Sequence, residues 1–320
     1  MRSKLLRITL GCAIGCVILY FVLRQANWQE IFAAWKQAKP AWIIAGASCI
    51  FLELVLKGIR WMRILEGRWH RPKTYIQATF IGIGASTFLP LRAGEFMKVF
   101  FVIKKTGRTL AKTALSVVVE RLFDVAMLGI LLLLGFALHH ELMLRWLKTF
   151  SIGNTSFMKI ATVLILLLLS LVPVIALILW KTKLRLSIDK IRDKLHLVPS
   201  RLIHAAILSI AIWTLDTLFY WFMSRGFSQN MRLNWGQTIF LFSIVSMAFV
   251  SSISPGALGI FEFLGIWVLQ QFSKPKEEAL AFLLASHGTM FIVLAICVLI
   301  VAAQETWPPH HPGRQNVPSK

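Results

Sequence analysis

The chain has 320 residues, 57% of them hydrophobic, and a mean hydropathy of +0.69; this excludes an ordinary soluble domain of this length. Several apolar runs approach the roughly 20 residues needed to cross a hydrocarbon core, and no polar stretch is long enough for a separate soluble domain. The formal charge of +21 would suggest nucleic acid in a soluble protein, but here the basic residues sit in short segments between apolar runs, where positive-inside topology and anionic lipid account for them. Nucleic acid is therefore not expected as a partner.

From the amino terminus, Arg2, Lys4 and Arg7 precede an apolar run to Leu23 that lacks an A-x-A site, so it reads as an uncleaved first span near 5–23. Further spans are expected near 41–57, 113–138, 157–180, 201–223 and 279–303, with Trp42, Trp61, Trp180, Trp221, Trp235 and Trp307 at their boundaries as an aromatic belt. Cys12, Cys16, Cys49 and Cys297 all fall in apolar runs without ligand spacing, so neither a metal nor a cofactor is expected. In 181–200, Leu184, Ile188, Ile191, Leu195 and Val198 recur at helical spacing with Lys and Arg between them, the pattern of a helix lying on an anionic cytoplasmic leaflet. The Pro-rich, polar 304–320, with His310 and His311, reads as a disordered cytoplasmic tail.

Two regions, 75–97 and 236–273, are apolar but broken. The first contains Ser86-Thr87-Phe88-Leu89-Pro90-Leu91-Arg92-Ala93-Gly94-Glu95, the second Ser251-Ser252-Ile253-Ser254-Pro255-Gly256-Ala257-Leu258-Gly259-Ile260-Phe261-Glu262. Both run hydroxyl pair, Pro, Gly, carboxylate. Broken backbone is tolerated in a bilayer only where protein or a wet cavity satisfies it, and matched breaks in two halves of a chain point to a transporter-type site between repeats. Region 75–97 is too short for two full spans. Read as re-entrant, it leaves the basic segments 57–74 and 98–112 both inside and places 23 of the 35 Lys and Arg residues on the cytoplasmic side, with both termini. A full span would separate those segments against the charge bias. The expected fold class is therefore all-α: one integral membrane domain over 1–303, a polytopic helix bundle with two re-entrant half-helix hairpins, its halves (about 41–138 and 201–303) forming an inverted repeat. Pro90, Pro255 and Gly256 are the helix breaks.

Ionisable groups at membrane depth are costly and mark candidate sites. Glu120, Arg121 and Asp124 form the densest cluster, open either to a structural ion network or to holding a charged headgroup. Arg92, at the tip of the first break, is a natural companion, since a guanidinium fork suits phosphate oxygens. Ser86, Thr87, Gly94 and Gly259 complete the candidate headgroup set. Glu95, Glu120, Asp124, Asp216 and Glu262 are candidates for gating or proton coupling, although Glu95 and Glu262 could equally cap half-helices. Glu53 has Lys57 as an i+4 partner, Asp216 has none nearby in sequence, and His287 reads as a hydrogen-bonded packing residue. No triad, zinc-helix or phosphate-loop motif is present, so an enzyme is not expected.

The stretches GASTFLPLRAGEFMKVFFV, SVVVERLFD and SISPGALGIFEF resemble the flippase-like transmembrane domain of lysylphosphatidylglycerol synthetases. The family pattern has Asn before the Leu-Pro and Arg after the Glu; Thr87 and Lys98 stand near those places here. In bifunctional members a cytoplasmic synthase follows this domain, whereas this chain ends at Lys320. The resemblance implies a stand-alone flippase-like protein of the cytoplasmic membrane, binding or moving an anionic or glycosylated lipid, with phospholipids or glycolipids as partners. Rival readings are an accessory subunit that scaffolds a glycosyltransferase or other lipid-modifying enzyme, and a membrane-embedded transferase.

Overall fold

The computed structural model describes residue 13 and residues 15–24, 26–88, 93–142, 198–251 and 254–306. Among these residues all regular structure is helical. The helices are α1 (15–23), α2 (Trp28–Gln37), α3 (Pro40–Glu66), α4 (Pro72–Phe88), α5 (Ala93–Thr106), α6 (Leu110–Leu138), α7 (Pro199–Gly226), α8 (Trp235–Ser251), α9 (Ile260–Gln271) and α10 (Lys276–Thr306). Three of them, α3, α7 and α10, are long and apolar enough to cross a membrane. The expected segments 157–180 and 181–197, Cys12, Pro90, Arg92 and 307–320 lie outside the described residues.

Local chemistry sets the boundaries. Asn27 caps α2, its side chain accepting from the Gln29 N–H, and its amide donates to Glu30. Proline opens α3, α4 and α7, where its missing N–H costs nothing. Gly67 closes α3 at φ +70°, its N–H donating to the Arg63 carbonyl. Asn234 and Gln237 exchange side-chain and backbone hydrogen bonds as a capping box at the start of α8.

The helices fall into two sets of the same order. α3, α4, α5 and α6 have 27, 17, 14 and 29 residues; α7, α8, α9 and α10 have 28, 17, 12 and 31. The first members pack antiparallel along their whole length: Gly226 meets Ile43, Gly46 meets Phe219 and Met223, and Arg60 meets Ser209. The short helices form antiparallel pairs on either side of each break, α5 against α4 through Gly94 and Gly82, α9 against α8 through Phe261 and Phe249. The outer contacts are exchanged between the sets. α4 packs antiparallel on α10, with Gly84 at Val298 and Gln77 bonded to Gln304 (2.8 Å), and α8 packs antiparallel on α6, with Phe240 at Gly135 and Gly236 at His139.

Small residues stand at most of these crossings. Lipid tails are as apolar as leucine, so membrane helices gain little from burying apolar surface against one another and instead depend on close approach. Large apolar side chains are correspondingly left outward, including Ile130, Leu133, Ile207, Ile210 and Leu299.

Two boundaries differ from the sequence reading. The span expected at 41–57 continues helically to Glu66, so Arg60 and Arg63 belong to α3 rather than to a loop. Residues 304–306, read as the start of a disordered tail, close α10, where Glu305 pairs with Lys105 at 2.6 Å. Trp61 is not part of an interfacial belt either: it is fully buried and donates to Ser116 Oγ at 2.8 Å.

Candidate functional site

An ionic network occupies the junction of α3, α5, α6 and α7. On α6, Glu120 and Asp124 are one helical turn apart and face the bundle. Arg60 enters from α3, fully buried, and donates to Asp124 at 2.7 Å, to Glu120 at 3.4 Å and to Ser209 of α7 at 2.9 Å. Lys98 enters from α5, also buried, and pairs with Glu120 at 2.6 Å while lying 4.3 Å from the centre of the Trp61 ring. Arg121 bridges Glu95 and Asp124, each at 3.0 Å, and is 38% exposed. Arg60, Lys98 and Arg121 thus balance Glu95, Glu120 and Asp124.

By sequence, Arg121 is the cation that stands between the two α6 carboxylates. Glu120 is instead paired with Lys98 and Arg60, two residues that had been counted as cytoplasmic loop charges. A helical signal for Arg60 is present: Glu53, Lys57 and Arg60 stand at i, i+4 and i+7, one face of one helix. The Glu53–Lys57 pair forms as expected. Asp216 of α7 is half-buried with Lys57, Arg60 and Asp124 as its charged neighbours, and makes no ion pair with another described residue.

The polar atoms beside the first break are incompletely satisfied. Ser86 Oγ, Glu95 Oε2, Arg60 Nε and Arg121 Nε are buried without a hydrogen-bond partner among the described residues. Ser86 lies against Gly94 at the crossing of α4 and α5, and the next residue, Glu95, carries the pair with Arg121. The neighbouring Thr87 hydroxyl bonds back to the Ile83 carbonyl at 3.0 Å. Of the candidate headgroup residues, Gly94 has its open face filled by the Gly82 backbone, and Gly259 (φ +83°) lies against the carbonyl of Gly15 in α1. Their missing side chains serve helix contact.

The second break is a short 3-10 turn, Pro255–Ala257, with Gly256 and Ala257 both near φ +60°. It meets the end of the first hairpin, since a Cβ on Gly256 would stand 3.3 Å from the Thr87 carbonyl oxygen. Glu262 caps α9 by accepting the Gly259 N–H at 2.7 Å, and its other oxygen lies 2.6 Å from His287 Nδ1.

Beyond the ionic network, the ends of α3, α4 and α6 are held by a separate cluster in which Glu66 accepts from the Tyr75 hydroxyl at 2.5 Å and pairs with Arg108. The carboxylate beside Arg108 holds its guanidinium above its ordinary range.

The ionic network and every helix but the last turns of α10 lie within a stretch, residues 8–297, that matches the family model of the lysylphosphatidylglycerol synthase TM region. The chain belongs to this family. Comparison with curated proteins gives no match. Membership makes the chain an integral membrane protein of a family linked to lipid synthesis or translocation, and it assigns the ionic network to the family's membrane domain itself.

Proposed function

We infer that this family member is a flippase-like, non-enzymatic membrane protein that binds or translocates an anionic or glycosylated lipid, with its headgroup site at the first break. The observation that carries this is that Ser86 Oγ, Glu95 Oε2 and Arg121 Nε are buried without a hydrogen-bond partner among the described residues, Glu95 Oε2 having only the long ion pair to Lys98 at 3.9 Å. They combine an anionic acceptor with a hydroxyl and a guanidinium donor, so a headgroup bearing both a phosphate and hydroxyl or amine groups would satisfy all three. Arg60 and Lys98, wholly inside, hold Glu120 and Asp124 in place, while the part-exposed Arg121 can exchange a carboxylate for a ligand oxygen.

The two helix sets are read as an inverted repeat whose short pairs are re-entrant hairpins. Antiparallel packing of the equivalent α3 and α7 supports this, as does the exchange by which α4 contacts α10 while α8 contacts α6; a two-fold axis perpendicular to the helices requires both. Re-entrance places Thr74 and Thr106, at the two feet of the first hairpin, on the cytoplasmic side. In a background without native cysteines, Thr74→Cys and Thr106→Cys are both expected to resist an impermeant thiol reagent added outside cells. Labelling of one but not the other would make α4–α5 a full crossing.

The lipid reading is tested with purified protein alone in liposomes carrying a fluorescent anionic lipid. The protein is expected to expose inner-leaflet lipid to an external impermeant quencher. Arg121→Lys, which keeps the charge but loses the planar fork, should weaken lipid binding about tenfold, the equivalent of one charge-assisted hydrogen bond. Unchanged binding by a folded Arg121→Lys or Arg121→Ala protein would remove the headgroup from this site. Lipid movement only when a second enzyme is added would favour the accessory-subunit reading.

A further inference from the structure

His287 ties the two sides of the second break to α10. Its Nε2 lies 2.9 Å from the Gly256 carbonyl oxygen and its Nδ1 lies 2.6 Å from Glu262 Oε1, while Glu262 Oε2 accepts the Gly259 N–H. Both side chains are buried, at 3% and 1% exposure, and the imidazole is surrounded by Phe249, Phe261 and Phe291. The break needs such a fastening, because Gly256, Ala257 and Gly259 all hold positive φ and left-handed backbone is unfavourable for alanine.

Hydrogen-bond stoichiometry determines how many protons this arrangement contains. A carbonyl oxygen can only accept, so Nε2 must carry a hydrogen. With Nε2 protonated, a neutral ring has a lone pair at Nδ1, and an ionised Glu262 would set a second lone pair 2.6 Å from it. The contact therefore requires one more proton, on Nδ1 of an imidazolium or on Glu262 as an acid. The other neutral tautomer only moves the conflict, placing a bare Nε2 against the Gly256 carbonyl. In a site this buried, an unmade or repulsive polar contact is not compensated by water.

We propose that Glu262 and His287 form a buried proton-binding site that fastens the second break, and that loss of one proton loosens it. When the proton leaves, the ring can hold Gly256 or Glu262 but not both. One of the two ties between this segment and α10 is then lost, which loosens the Pro255–Gly259 turn beside its contact with Thr87 of the first hairpin. The fastened state binds the additional proton, so it is favoured as pH falls and lost as pH rises. Among the described residues, the titratable group facing the pair from another helix is Tyr220 of α7, with Asp216 one turn behind it. α8 has no charged residue, α9 contributes only Glu262, and the charges of α10 lie at its ends; Lys73 of α4 lies more than three turns from Thr87. The site gives Glu262, a gating or proton-coupling candidate from its sequence, a defined proton-carrying partner, and it does not depend on whether or which lipid is handled.

Amide hydrogen exchange over residues 254–263, corrected for the intrinsic pH dependence, tests this in the purified full chain. From about pH 5 to about pH 9, a range that spans ordinary histidine titration, wild-type protection is expected to fall at least tenfold. Glu262→Gln should stay protected throughout, because its amide donates to Nδ1 and its carbonyl accepts from Gly259 without titrating. His287→Ala should be unprotected at every pH. Wild-type protection that does not change with pH, or Glu262→Gln as open as His287→Ala, overturns the proposal. Nitrogen NMR of ring-labelled histidine in the wild type gives an independent result: at low pH a hydrogen on Nε2 and a shared one at Nδ1 are expected, and a bare Nδ1 facing an ionised Glu262 would refute the site. These readouts report on the turn alone, so failure to move lipid would count against the flippase reading and leave this one intact.

Discussion

Arg60→Met is expected to be far more damaging than Arg121→Met, removing most of the folded protein. Arg60 is fully buried and holds three groups on two other helices: Asp124, Glu120 and Ser209. Methionine matches its length but leaves the α6 carboxylates short of a cation where water cannot replace it. Breaking a buried pair in this way typically costs about 3–5 kcal/mol. Arg121→Met should cost much less, because Arg121 is partly exposed and Asp124 retains Arg60. Melting in detergent and the monodisperse yield of both variants provide the measurement. Neutralising the carboxylate as well, in Arg60→Met with Asp124→Asn, should recover part of the loss. An Arg121 variant less stable than the Arg60 variant, or a double variant no better than the single one, would contradict the geometry.

Gly94→Ala is the second large effect. A Cβ at Gly94 would collide with the carbonyl oxygen of Gly82 and stand 2.5 Å from Ser86 Oγ. The first of these is helix backbone, which cannot rotate aside, so α4 and α5 must separate. Overpacking of this kind costs about 1–3 kcal/mol, and it also displaces Ser86 and the adjacent Glu95 and Lys98. Reduced melting together with loss of lipid binding is therefore expected. Gly288→Ala, where nothing lies within 4 Å of the added carbon, is the matched control and should behave as wild type. Equal behaviour of the two variants would mean that the crossing of α4 and α5 is not close-packed.

Features set within a few residues were legible in the sequence, and contacts between distant segments were not. Pro255, Gly256 and the glycines beside them act on their own φ and ψ, so the second break could be read directly from the chain, as could the capping carboxylate of Glu262 three residues past Gly259. Glu53 with Lys57 and Glu120 with Asp124 were legible because helical spacing alone brings them to one face. Apolar run length identified the membrane class and the cores of α3, α7 and α10, and the motifs around 86–96, 116–124 and 252–263 carried the family.

Run length also misled at the lower end of α3. Hydropathy averages over all faces of a helix, so the density of Lys and Arg after residue 57 suggested that the helix had left the membrane domain. The helix in fact continues, because one polar face turns inward onto α6 and α7 and only the packing of those helices reveals which face that is. Arg60 meets Asp124 across 64 residues and Ser209 across 149, and Lys98 meets Glu120 across 22. His287 finds Glu262 across 25 residues, and a lone histidine in an apolar helix gives no sign of a partner in the turn before it. The chain by itself thus determined where backbone is broken, which segments are apolar and which residues share a helix face, because those follow from local sterics and periodicity. Only the tertiary structure decided which buried cation neutralises which carboxylate and which imidazole holds the second break, because a charge in a low-dielectric interior is satisfied by whatever folding brings within hydrogen-bond distance.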